Sequence, residues 1–378
     1  MKNSIIVFTV NVENWGAERS ICSLCNYLKH SGQNIIVIIP RKGMITNLLD
    51  EINVEYIIHS FHYWTCDKKK NIRPDRYIRN LLSEEKNIHS ILKILKNKNI
   101  YPKLIYSATI TFGTGIRLAQ ILKVPHVQHI RENIDAFNYK FFYGYRFSLW
   151  YINKYSKCII CTCNAIRKRY IKNLDENKTF AIHNGVPAIE NVPLKEYVGK
   201  LKLVQVARFM PDKRICDTLQ AIRELLNRGI SNIQLDIYGN GQEEIEYKSY
   251  IKKNDLGRIV KLMGFVPKID FTPYQIGIMS STFEAFARST LDYMNNGLAV
   301  IASNAGGNIE QVVDGVTGFL YEVHNFKDMA DKIELLYNDR AKLKHMGYAG
   351  RERFLNNFTQ EKYTYNVGKK ILSLIEEK

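Results

Sequence analysis

Short apolar runs alternate along the chain with longer stretches in which apolar residues recur three and four positions apart. The first run, Ile5 to Val10, leads through a polar turn into a segment from about Gly16 to His30 with Ile21, Leu24 and Leu28 at helical spacing, and a second run follows at Ile35 to Ile39. An apolar run bounded by polar turns suits a strand buried on both faces, and strand, helix, strand in about 35 residues is the parallel unit of a doubly wound sheet. Further strands are expected at Leu104 to Tyr106, His126 to His129, Cys158 to Thr162 and Thr179 to Ile182. The pattern then breaks from His183 to Lys200, where Gly185, Pro187, Pro193 and Gly199 mark a linker. After it the alternation restarts. Strands are expected at Lys202 to Ala207, Ile233 to Tyr238, Ile259 to Met263, Ile276 to Met279 and Ala299 to Ala302, with helices at Ile215 to Arg228, Glu243 to Asn254 and Ser289 to Asn296, then helices to the end. A last helical stretch, Glu361 to Glu376, follows a break near Asn356 to Thr359.

The fold class expected is α/β, with two doubly wound parallel-sheet domains facing each other across a cleft. Their bounds are residues 1–186 and 187–358, and the helix in 359–378 is expected to pack back on the first domain. A chain of 378 residues suits two cores of this kind.

Composition adds a compartment and a charge. With 46% hydrophobic and 24% charged residues, neither disorder nor a fibrous repeat is indicated. No apolar run reaches the roughly 18 to 20 residues that cross a bilayer, and the start lacks a signal peptide's apolar region and cleavage site. A cytoplasmic protein is therefore expected. Seven cysteines, an odd number, fit a reducing compartment. Cys22 with Cys25 and Cys158 with Cys161 share a CxxC spacing that, with Cys163, also has a zinc reading; their place in helix and strand patterns favours small core residues.

The net charge of +17 is unevenly spread. Residues 1–186 carry 28 Lys and Arg against 13 Asp and Glu, a balance of +15, and residues 187–378 carry 26 against 24, a balance of +2. A positive field on one half points to an anionic membrane surface or nucleic acid, unless it is only the solvated surface of a basic protein. Its densest stretch, Lys68, Lys69, Lys70, Arg73, Arg76 and Arg79, reads as a loop running into a helix.

Open parallel sheets bind ligands beyond the carboxyl ends of their strands. After the first strand of the second domain comes Arg208-Phe209-Met210-Pro211-Asp212-Lys213, two cations in one loop, as a diphosphate needs. Next comes Tyr238-Gly239-Asn240-Gly241, glycines where backbone must approach another surface, and then Met263-Gly264-Phe265-Val266, where backbone groups could meet a nucleotide base. The most specific segment, Ser280 to Asp292, holds Glu284 in a strand-to-helix loop and Asp292 about two turns into the helix. Between them the amides of Ala287, Arg288 and Ser289 would form a helix start, which favours an anion.

These motifs carry a resemblance. VARFMPDKR, IYGNG, MGFV, STFEAFARSTLD, NNGLAVIASNAGGNIEQV and DGVTGFLYE, in order over about residues 183–325, are similar to the donor-binding domain of glycosyltransferase family 4, retaining enzymes of the GT-B fold with two Rossmann-like domains. WGAERS and VPHVQHIREN resemble its first domain more loosely. The resemblance implies a retaining glycosyltransferase. Arg208 and Lys213 would hold the donor diphosphate and Glu284 the hydroxyls of the transferred sugar, while Phe286, Ala287 and Arg288 would bring backbone amides near sugar and phosphate. Gly239 and Val266 would complete the nucleotide site. Asp292 stands where the family usually has a glutamate on the ribose, one methylene longer. Trp15-Gly16 stands for the family's Gly-Gly after the first strand, with Gly16 the residue expected near the donor. The family's histidine near the middle of the first domain aligns with Arg131, with His129 two residues earlier; strand alternation puts both on one face, so either could meet the sugar.

No metal and no cofactor are expected, only a UDP- or GDP-sugar co-substrate. Arg208 and Lys213 would stabilise the departing diphosphate, assisted by helix-terminal amides. The expected acceptor is a glycan, lipid-linked, in surface polysaccharide biosynthesis such as capsule formation. The basic first domain and the aromatic stretch Phe137 to Tyr155 would rest on the inner face of the cell membrane, with at least half of those rings packing inward instead. The rival readings are a GT-B epimerase acting on the nucleotide sugar and a non-catalytic nucleic-acid binder. The second gives no role to the carboxylate-bearing loop, so no nucleic-acid partner is expected.

Overall fold

The computed structural model describes residues 2–10, 12, 16–70, 74–135, 138–192, 197 and 199–376. The chain divides into two compact units, Met1–Asn184 with Gln360–Lys378 and Gly185–Thr359. In the first, the elements run β1 (Lys2–Phe8), α1 (Gly16–His30), β2 (Asn34–Ile39), α2 (Met44–Glu51), β3 (Glu55–Ile58), β4 (Thr65–Asp67), α3 (Pro74–Asn97), β5 (Ile100–Ser107), α4 (Thr114–Leu122), β6 (His126–Ile130), β7 (Tyr139–Phe141), α5 (Tyr145–Tyr155), β8 (Cys158–Cys161), α6 (Asn164–Tyr170) and β9 (Thr179–Ala181). The second unit has β10 (Leu201–Val206), α7 (Ile215–Asn227), β11 (Ile233–Tyr238), α8 (Glu244–Lys253), β12 (Val260–Gly264), β13 (Ile276–Met279), α9 (Arg288–Asn295), β14 (Ala299–Ser303), α10 (Asn308–Gln311), β15 (Gly318–Tyr321), α11 (Phe326–Asn338) and α12 (Arg340–Asn357). Helix α13 (Gln360–Glu376) completes the chain and belongs to the first unit.

Each unit is built on one parallel sheet. The first has the order β3-β2-β1-β5-β6-β8-β9, the second β12-β11-β10-β13-β14-β15. Side chains alternate between the two faces of β1: Ile5 and Val7 pack toward α1, α2 and α13, Ile6 and Phe8 toward α3 and α4. Burial on both faces is why these strands read as unbroken apolar runs. Tyr363, Val367 and Ile371 of α13, four residues apart, are buried in the same cluster as Ile21, Leu24 and Leu28 of α1. Burying such a side chain stabilises by roughly 1.5–3 kcal/mol, enough for three of them to hold one helix.

Two expectations need correction. The segment expected as a linker is partly docked: Asn295 Nδ2 donates to Pro187 O at 2.8 Å and Asn295 Oδ1 accepts from Ile189 N at 3.1 Å, fixing the start of the second unit on α9. The chain after Ala302 is not all helical, since β15 adds a sixth parallel strand. The basic stretch starts in a turn directly after β4, which pairs antiparallel with β7, and its Arg76 and Arg79 lie on α3, in keeping with a loop that runs into a helix. Pro193 of the expected linker, Arg73 of the basic stretch and Phe137 of the aromatic stretch lie outside the described residues.

The CxxC cysteines are core residues. Cys22, Cys25, Cys158, Cys161 and Cys163 are buried and in no disulfide, and no group of three His, Cys, Asp or Glu side chains among the described residues could hold a metal ion. Burial, seconded by Glu18, pushes the Cys22 thiol up to about 12, so it stays protonated and a poor metal ligand.

Candidate functional site

In the second sheet the strand order reverses between β10 and β13, and at such a switch point the loops from two neighbouring strands diverge to leave room for a ligand. The loop after β10 makes a single 3-10 turn at Pro211–Lys213 before α7. Phe209 is fully buried and anchors this loop, leaving Arg208 exposed. The loop after β13 runs from Ser280 to Ala287, the N-cap of α9. The two loops are tied together by Thr282 N donating to Asp212 O at 2.9 Å and Ser280 Oγ donating to Lys213 O at 2.6 Å.

On this frame Lys213 Nζ meets Glu284 Oε1 at 2.6 Å. Ser281 Oγ donates to the same oxygen at 2.7 Å, and Asp212 Oδ2 lies 3.3 Å from the ammonium. The Lys213 and Glu284 side chains are 12% and 19% exposed. Burial alone would lower the Lys213 pKa, but the carboxylates of Glu284 and Asp212 outweigh it and hold the amine above its ordinary value. The ammonium therefore stays charged near neutral pH. A largely buried ammonium and carboxylate at a strand-end crevice can be shared out to a ligand that carries both phosphate and hydroxyls.

A third loop, after β14, fixes the carboxylate. Gly307 N donates to Glu284 O at 2.7 Å, and Gly306 has a φ of +57° with its backbone against the same residue, so that a Cβ there would stand 2.2 Å from Glu284 O. Only glycine combines that conformation with that approach. Ser303 Oγ donates to Ser281 O at 2.6 Å and pins the same segment from below. Gly239 does a similar service for the Arg208 loop: its φ is +142° and a Cβ would lie 1.8 Å from Ala207 O. The surface that this glycine approaches is thus the loop carrying Arg208.

The expected site residues fall into two groups. Lys213 and Glu284 are in direct contact, and Arg208 and Gly239 lie on the adjoining loops. Phe286 and Ala287, both nearly buried, lead into α9; Arg288 is its first residue, with Nη1 donating to Gly185 O at 3.2 Å, and Asp292 is about a turn further on. Val266 follows β12 at the sheet edge. Gly16, His129 and Arg131 belong to the first unit. There Arg131 Nη2 donates to Tyr363 Oη of α13 at 2.6 Å, and His129 Nδ1 is 2.5 Å from Tyr106 Oη. His129 and Arg131 do share a face, that of α13, and both are buried. Burial, with Arg131 beside it, pushes the His129 pKa well down, so the ring is neutral. Gly16 opens α1, and Trp15 lies outside the described residues. Sequence reasoning missed Ser280, Ser281, Gly306 and Gly307 as site residues, although the glycine pair directly after an apolar strand was a usable signal.

Two doubly wound parallel sheets, with an ammonium–carboxylate pair at the switch point of the second, define a chain of the GT-B class, and solved structures agree. HepE of Anabaena, in complex with UDP and glucose, superposes with a TM-score of 0.78 at 17% identity, over 98% of this chain and 100% of that one. A model of glycosyltransferase family 4 matches residues 16–188 and one described as glycosyl transferases group 1 matches residues 189–353. The chain belongs to glycosyltransferase family 4. Among curated relatives, the poly(ribitol-phosphate) alpha-N-acetylglucosaminyltransferase of Staphylococcus aureus is 28% identical over 288 residues, 75% of this chain and 55% of that protein, so this chain spans little more than half of it. The UDP-Gal:alpha-D-GlcNAc-diphosphoundecaprenol alpha-1,3-galactosyltransferase of Escherichia coli is 26% identical over 305 residues, 74% of this chain and 76% of that one.

Proposed function

We propose that this protein transfers a sugar, with retention at the anomeric carbon, from a UDP- or GDP-sugar to a glycan acceptor carried on a lipid, in the assembly of a surface polysaccharide. The observation that carries the reading is the Lys213–Glu284 pair at the switch point of the second sheet. As the glycosidic bond to phosphate lengthens, negative charge builds on the departing diphosphate. Lys213 and Arg208 are the cations that answer it, with the amides at the start of α9 assisting, and Glu284 accepts from hydroxyls of the sugar. The positive charge comes from side chains, so the reaction runs without a metal ion or cofactor. The reading is supported by the UDP-sugar named for the coliform relative and the UDP held by the Anabaena protein.

A thermal-shift comparison of UDP-, GDP- and ADP-glucose tests it, because a ligand of the folded state raises apparent stability. UDP- or GDP-glucose should raise the melting temperature; no shift with any of the three contradicts the reading. Arg208→Ala should lower the transfer rate at least tenfold, the loss of one charge-assisted hydrogen bond of about 1.5–3 kcal/mol, measured as initial rate at saturating acceptor. Incubation with donor alone should give only slow hydrolysis; an epimerised sugar would instead establish the epimerase reading.

The acceptor's lipid implies work at a membrane, on the cytoplasmic face. No helix among the described residues is long and apolar enough to cross one. Pairing of β4 with β7 brings the lysines after β4 beside the aromatic stretch, with Lys68 N donating to Asn138 O at 2.8 Å. Phe141 and Phe142 turn inward, whereas Phe147 and Trp150 on α5 and Ile78, Leu81 and Leu82 on α3 stay exposed, as do Arg76 and Arg79. Exposed apolar side chains beside cations suit an anionic leaflet. The protein should sediment with vesicles containing phosphatidylserine and be released by salt; equal recovery with neutral vesicles removes the anionic surface from the account.

A further inference from the structure

Beside α5 the first unit contains a cavity of about 370 Å³ that the transfer chemistry does not use. This lies within the range of roughly 300–1,000 Å³ typical of small-molecule sites. Its walls come from α3, α4 and α5, with Trp64 also lining it. Trp64 is almost wholly buried and held by its own backbone, Trp64 N donating to Thr111 O at 2.9 Å. Tyr151 meets it edge to face at 6.2 Å between centroids, and Phe147 stacks on Tyr151 at 6.0 Å. The result is a wall of aromatic rings already fixed by one another.

The polar groups are few and specific. Glu84 accepts from Thr114 Oγ1 at 2.5 Å. Glu85 is paired with Arg117, whose Nε donates to it at 2.8 Å, and Tyr151 Oη donates to Gln120 Oε1 at 2.5 Å. Glu84 has no such cation among the described residues: burial, seconded by Glu85 and against the hydrogen bonds from Thr114 and the His62 backbone, pushes its pKa up to about 7. A carboxyl in that position retains acceptor capacity beyond the Thr114 hydroxyl and the His62 backbone, and the rings beside it favour an occupant that brings a donor of its own.

We propose that this cavity binds a neutral sugar ring, stacking its C–H face on Phe147 and Tyr151 and donating hydroxyls to Glu84. The other occupants fit less well. A phosphate would face two carboxylates while the guanidinium of Arg117 is already engaged by Glu85, and a hydrocarbon chain would bury Glu84 without a donor. Sugars are amphipathic in the required way, and Tyr and Trp offer an apolar face with a polar edge. The proposal rests on the glycan-acceptor reading only for the role of the site, which is to hold acceptor sugars away from the reacting end. Leu81 and Phe147 border the cavity and belong to the face that the membrane reading assigns to lipid headgroups. A sugar held there lies where the glycan of a lipid-linked acceptor emerges.

The test is binding of maltotriose and of the trisaccharide of N-acetylglucosamine to the whole protein without donor, by calorimetry, with choline, inorganic phosphate and octyl alcohol as the other arms. At least one trisaccharide should bind saturably, and Phe147→Ala and Glu84→Gln should each weaken it about tenfold while leaving the thermal shift given by the nucleotide sugar unchanged. Phe147 is 48% exposed, so its loss should not unfold the protein. Lys213→Ala should do the reverse, abolishing the nucleotide shift and sparing trisaccharide binding. If neither trisaccharide binds, if another probe binds in their place, or if both variants bind as the wild type does, the proposal is overturned whatever becomes of the donor site.

Discussion

Lys213→Ala should lower kcat/KM for sugar transfer by roughly 100-fold or more, the scale seen when one charged or hydrogen-bonding stabiliser of a transition state is removed. Two effects add. The departing diphosphate loses an ammonium, and Glu284, only 19% exposed, loses the cation that now sits 2.6 Å from one of its oxygens. An exposed ion pair would be worth little, but this one is largely out of water, and breaking such a pair from one side leaves a charge uncompensated. Ser281→Ala removes only one hydroxyl donor to Glu284 and should cost about 1 kcal/mol, several-fold in rate. Initial rates with donor varied at saturating acceptor separate the two, since Lys213→Ala should fall in kcat as well as in donor affinity. A Lys213→Ala rate equal to wild type would remove the ammonium from the mechanism.

Gly306→Ala is expected to have the second largest effect, and it acts without touching charge. Its left-handed backbone costs a residue with a side chain about 1–2 kcal/mol, and the added Cβ would stand 2.2 Å from Glu284 O, a distance that only backbone movement can relieve. Overpacking of this kind typically adds another 1–3 kcal/mol. Melting temperature should drop by several degrees and the transfer rate should fall further than the loss of folded protein explains, because the displaced segment is the one carrying Glu284. A variant that melts lower but transfers at the wild-type rate per folded molecule would show that the loop after β14 supports the fold and not the carboxylate.

The sequence carried most of the strands because a parallel strand covered on both faces needs an unbroken apolar run, as at Ile35 to Ile39 and Ala299 to Ala302. It failed where that pressure is absent. Strand β3 is an edge strand of which Ile57 alone is buried, and β15 begins at Gly318 inside a turn-like run, DGVTG, that hides a strand fully registered on β14. Strands β4 and β7 are three residues each, too short to show a period. At the site, Lys213 and Glu284 were legible because they stand in loops at the carboxyl ends of parallel strands, where ligands bind, and the surrounding motifs resemble a family. Ser281 and Gly306 were not, for their work depends on contacts with residues 3 and 22 positions away along the chain, Glu284 in both cases. A hydroxyl or a glycine acquires that meaning only once the loops have been brought together.

The account depends on one ligand dividing the Lys213–Glu284 pair between its phosphate and its sugar. A crystal structure with the nucleotide sugar that gives the largest thermal shift tests this most directly. The diphosphate should lie against Lys213 and Arg208, with sugar hydroxyls on Glu284 and the ion pair opened or shared. A nucleotide sugar bound elsewhere, with Lys213 and Glu284 still closed on each other, would contradict it.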